Sequence, residues 1–80
     1  MVTTRWTNPV SLGFTQGGMQ TVSGPFEALI YLTEKWPNMR GLHFMRARSA
    51  CRAALAGRKT PEEAREIFIE AAREAELKAQ

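Results

Sequence analysis

Val10, Leu12 and Phe14 alternate with Ser11 and Gly13. That period of two predicts a half-buried strand over about residues 9–14. Pro9 has no amide hydrogen, so the strand starts there or lies at a sheet edge. Residues 19–23 read as the return strand, because Gly17-Gly18 supplies the positive φ that a tight hairpin needs. A two-residue loop would put Val22 on the opposite face from Leu12. A three-residue loop, Gln16 to Gly18, pairs Leu12 with Val22 and keeps the apolar residues together, with Gly18 as the left-handed residue.

The period then changes. Ser23 or Gly24 can cap a helix over about residues 25–36, with Pro25 in the first turn and Glu27 at the positive end of the dipole. Phe26, Leu29, Ile30, Leu32, Thr33 and Trp36 fall on one broad face, and Glu27, Tyr31, Glu34 and Lys35 on the other. Pro37 ends this helix, and Trp36 reads as the core anchor that closes it. After a short connection, Asn38 to Gly41, a second helix spans about 42–56. Its stripe of Phe44, Ala47, Cys51, Ala54 and Leu55 is mostly small, so a neighbouring helix can approach closely. Gly57 is a C-terminal stop. Thr60-Pro61-Glu62-Glu63 has the form of a capping box and opens a third helix over about 61–78, with Ala64, Ile67, Phe68, Ala71 and Ala75 on one face. Two strands followed by three helices predict a single α+β domain in which helices cover one face of a hairpin. A hairpin alone is marginal, so packing against the helices must hold it.

Composition narrows the functions open to such a domain. The 80 residues include no aspartate, one histidine and one cysteine. Acid–base, nucleophilic and metal chemistry draw on those residue types in close groups. Six of the eight glutamates follow Thr60, in what reads as an exposed helix. The expectation is therefore a non-enzyme with no cofactor and no metal. The charge is uneven: residues 1–59 carry eight Lys/Arg against two Glu, and residues 60–80 three Lys/Arg against six Glu. A basic helix beside an acidic one accounts for this split, and an anion-binding face is the sharper alternative.

Individual candidates follow the same weighing. Cys51 lies mid-stripe, where a buried and inert thiol is expected. His43 has no second ligand type near it. Arg46, Arg48 and Arg52 are the candidate anion-binding residues. They form a collar rather than one stripe, with Ala and Ser between them, and pairing with the glutamates of the third helix is the plainer expectation. Trp6, Phe14 and Tyr31 lack the aromatic and basic spacing of a base-stacking platform. Leu42 and Met45 on the second helix, and Ile69 and Leu77 on the third, fall off their stripes. They are the candidate interaction surface.

The run NPV, then TVSGPFEALIYLTEKWP, then Ala47, Cys51, Leu55 and Gly57, then AREIFIEAAREA resembles the alphaproteobacterial, notably rhizobial, family known as domain of unknown function 982. The resemblance extends from about Arg5 to Leu77 and rests on positions read above as core or caps. It implies a small, stand-alone bacterial cytoplasmic protein and supplies no activity. His43 and the arginine collar are not part of it.

So short a domain buries a small share of its surface, and with one cysteine and no zinc spacing, self-association is the stabilising aid left. A homodimer that serves as an interaction or regulatory module, with a further protein partner, is the expected function. Nucleic-acid binding through the arginines is the alternative. The lone cysteine, the absence of a signal-like apolar run in Met1–Trp6 and the lack of a membrane-length apolar stretch point to the cytoplasm.

Overall fold

A computed structural model of the chain describes residues 5–14, 18–37 and 39–79. The hairpin loop at Gln16 and Gly17, the connection residue Asn38 and the N-terminal Met1–Thr4 lie outside the described residues. Strands β1 (Val10–Phe14) and β2 (Gly18–Val22) are followed by helices α1 (Pro25–Glu34), α2 (Leu42–Leu55) and α3 (Pro61–Glu74), then by a short strand β3 (Lys78–Ala79). This is the α+β hairpin-and-three-helix domain that the period change implies, with one strand added.

The sheet order is β2-β1-β3, and both pairings are antiparallel. β1 begins directly after Pro9 and is the central strand, so the proline marks a start and not an edge. Val10 pairs with Val22 and Leu12 with Gln20. The expected pairing of Leu12 with Val22 is therefore displaced by two residues. A shift of two preserves the face, so Val10, Leu12 and Val22 still point together into the core, all fully buried. Gly18 takes the left-handed conformation expected of it, φ +66°. The Trp6 amide extends the sheet region by donating to the Ser23 carbonyl, 2.8 Å. Further on, Arg65 Nε donates to the Asn8 carbonyl, 2.7 Å, and ties α3 to the segment before β1.

The third helix stops at Glu74, not near residue 78. Its end is a Schellman turn: the Glu76 amide donates to the Arg73 carbonyl (3.0 Å) and the Leu77 amide to the Ala72 carbonyl (2.8 Å). Glu76 adopts φ +61°, reversing the chain so that Lys78 and Ala79 pair with β1. Leu77 consequently leaves the helix surface and becomes buried. The same turn, with Gly57 at φ +80°, ends α2.

The α1 face is rotated from the expected one. Pro25, Ala28 and Leu32 are buried, whereas Phe26 is 63% and Ile30 38% exposed. Glu27 and Tyr31, expected to face solvent, are half-buried instead. The Glu27 carboxylate accepts the Ser23 amide hydrogen at 3.1 Å. Tyr31 stacks on Phe14, and its hydroxyl donates to Gln20 at 3.5 Å. On α2, Ala50 replaces Leu55 in the buried stripe. Phe68 is the centre of the core, fully buried, with ring centroids 5.7 Å from Trp6 and 5.4 Å from Trp36. Trp36 is buried as expected, just beyond the end of α1.

Candidate interaction surface

Two neighbouring helices, α2 and α3, present the surface on which most of the candidate residues stand. Each helix is held by a different cap. At α3 the Thr60 hydroxyl oxygen accepts the Glu63 amide hydrogen (3.2 Å) and donates its own hydrogen to the Glu63 carboxylate (3.0 Å). That hydroxyl, followed by Lys59 at 3.7 Å, holds the Glu63 carboxyl below the usual carboxylate range. Among the described residues the start of α2 has no local side-chain cap, and its first turn holds no acidic residue. Glu74, the last residue of α3, supplies one from across the pair. Its two carboxylate oxygens accept the amide hydrogens of His43 (3.3 Å) and Phe44 (3.2 Å). Gly41 makes room for it: φ is +109° there, and a Cβ would collide with the Glu74 carboxylate. A negative charge is thus placed at the positive end of α2.

On the outward side of α2, Leu42 is 66% and Met45 62% exposed. Beside them a shallow groove of about 400 Å³ runs between α2 and α3, lined by Met45, Arg46, Ser49, Ala53, Lys59 and Ile67. Two of the four candidate surface residues therefore stand in the open and two do not. Ile69 is half-buried against the core, and Leu77 is buried because α3 ends before it. Among the large apolar residues that the pattern assigned to the core, Phe26, Ile30 and Leu55 are exposed instead.

The arginines do not act as one group. Arg46 lines the groove, and Arg52 is exposed. Six residues apart, they stand about 120° from each other around the helix. Arg48 lies over the Phe44 ring, 5.7 Å from its centroid. Its Nε is buried and has no hydrogen-bond partner among the described residues. The expected pairing with α3 glutamates is not found: among the described residues Arg46, Arg48 and Arg52 form no ion pair. Three of the five α3 carboxylates are engaged otherwise, Glu63 with Lys59, Glu70 with Arg73 at 3.2 Å, and Glu74 with the α2 backbone.

The groups that could carry chemistry are dispersed. Cys51 is fully buried in the α2 stripe, and burial pushes its thiol up to about 12. A nucleophilic cysteine needs the thiolate, which this setting suppresses. Among the described residues no group of three His, Cys, Asp or Glu is placed to hold a metal ion, and no helix is long and apolar enough to cross a membrane.

Fold and surface together define a small α+β domain whose α2–α3 pair exposes apolar and cationic side chains on one helix and carboxylates on the other. The chain belongs to the family described as Protein of unknown function (DUF982), whose model matches residues 8–79. No curated protein and no solved structure matches it.

Proposed function

We propose that the protein is a non-catalytic interaction module of the bacterial cytoplasm that self-associates and acts as an accessory or regulatory component for a further protein. The observation that carries this reading is the pair Leu42 and Met45, one helical turn apart and each about two-thirds exposed beside an open groove. Large apolar side chains grouped on a surface mark contact sites, and small domains gain stability from the area that contact buries. The buried thiol and dispersed carboxylates support a non-catalytic role. A lone, unpaired cysteine fits a reducing compartment.

Light scattering on a sizing column over a dilution series tests the self-association. A dimer that dissociates on dilution is the expected result. A strict monomer at several hundred micromolar refutes it. Nucleic-acid binding has less support, since a phosphate track calls for cations gathered on one face. If α2 bound nucleic acid, affinity would fall steeply with salt through counterion release.

A further inference from the structure

We infer that the dimer is a two-fold pair in which α2 of each copy lies across α3 of the other, with Arg52 facing Glu66 of the partner subunit at both seams. This rests on the self-association proposed above and specifies its geometry. α2 carries three arginines and no acidic residue, whereas α3 carries five glutamates and two arginines. Stacking α2 on a second α2 would set arginine against arginine, and stacking α3 on α3 would set glutamate against glutamate. Of the arrangements that a two-fold axis allows for a stacked helix pair, the crossed one sets the all-basic helix against the mainly acidic one, and it does so twice.

The level of the charges along the helices fits the crossed arrangement. The Glu74 carboxylate accepts the His43 and Phe44 amide hydrogens, so the end of α3 stands beside the first turn of α2 in the antiparallel pair. Stepping along both helices from there, Arg52 falls within one helical turn of the level of Glu66. A two-fold axis parallel to the helices keeps every residue at its own height, so Arg52 arrives opposite Glu66 of the partner subunit. Arg52, Glu62 and Glu66 are exposed, and none of the three is in an ion pair among the described residues. Leu42 and Met45 lie on the same outward side of α2 and would be covered by the same contact. Each helix is about 21 Å long, and two stand about 9 Å apart, which gives a footprint of about 400 Å² per copy. Specific interfaces usually bury about 800 Å² per partner, so association is expected only at high micromolar concentration.

Sedimentation velocity up to several hundred micromolar decides the matter, with circular dichroism confirming that each variant is folded. The wild type dimerises, Arg52→Glu and Glu66→Arg each weaken the dimer at least tenfold, and an equimolar mixture of the two variants restores it. In the mixed dimer one seam is reversed and the other native, so both are complementary. A wild type that stays monomeric sinks self-association itself, and this geometry with it. A wild-type dimer that neither variant disturbs leaves self-association standing and overturns the crossed seam. Loss with Arg52→Glu but not with Glu66→Arg, or failure of the mixture to restore the dimer, also overturns it.

Discussion

Removing the carboxylate that closes the start of α2 should cost measurable stability, and the cost should vanish in one defined background. Glu74→Ala leaves the His43 and Phe44 amides without their acceptor. Loss of an N-terminal cap typically costs about 1 kcal/mol, and the lost charge at the helix dipole adds a few tenths. The His43 contact is exposed, which discounts its share, so the expected total is about 1 kcal/mol. Gly41→Ala should cost more. An alanine at φ +109° and ψ +152° is held in a region populated almost solely by glycine, at about 1–3 kcal/mol. Its Cβ also displaces the Glu74 carboxylate, forfeiting the cap as well. The sum is about 2–4 kcal/mol.

The decisive quantity is the coupling. With alanine at position 41 the cap is already lost, so adding Glu74→Ala should cost nearly nothing further. A double-mutant cycle should return a coupling of about 1 kcal/mol. Urea unfolding followed by far-ultraviolet circular dichroism, at protein concentrations low enough to keep the chain monomeric, measures all four corners. With a slope of about 1 kcal/mol per molar urea for so small a domain, Glu74→Ala should move the midpoint by about 1 M. Strict additivity would refute the tertiary cap, and so would a Glu74→Ala midpoint equal to wild type.

Three other outcomes are expected. Phe68→Ala opens a cavity between Trp6 and Trp36 and should cost about 3–5 kcal/mol, enough to abolish the near-ultraviolet signal of the two tryptophans; a variant with wild-type near-ultraviolet dichroism would contradict the central place given to Phe68. The Cys51 thiol, raised from 9.0 to about 12, stabilises the fold fully below pH 9 and loses that contribution as pH climbs toward 12, because the unfolded chain releases the proton first. Cys51→Ala should therefore lose less stability than wild type across that window, while native wild type reacts slowly with a thiol reagent at neutral pH and quickly once unfolded. Thr60→Ala should return the Glu63 carboxyl toward its ordinary value in an NMR titration and lower the thermal midpoint; since Glu63 is depressed in the fold, its contribution is present above 4.5 and fades as pH falls through the folded value.

What could be read from the chain divides along a physical line. Features set by neighbours in sequence were legible: the alternation of β1, the Thr60 cap, the Gly57 stop, the left-handed Gly18. The α1 face was not, because five apolar residues and Thr33 on one broad face are more than the neighbours of so short a helix can cover. Ala28, too small to weigh in a hydrophobicity pattern, faces inward with Leu32 because a small side chain lets the backbone approach closely. Phe26 and Ile30 are left outside as a result. Leu77 was misplaced because helical periodicity continues past Glu74, while a Schellman turn needs no glycine if one residue accepts positive φ, as Glu76 does.

The pairing of Gly41 with Glu74 shows what a further reading of the sequence could use. Taken locally, each end is a misfit: a helix opening on glycine without an acidic first turn, and a glutamate at the C-terminal end of another helix, where the dipole disfavours it. Two misfits of opposite sign, one at the start of a helix and one at the end of the next, cancel if the helices are antiparallel neighbours joined by a short turn. Residues 56–60 are that turn. The charge split between α2 and α3 follows the same logic one level up. An arginine helix and a glutamate helix can lie side by side with few ion pairs between them when their charges point outward, and charges left unpaired within one copy are those available to a second.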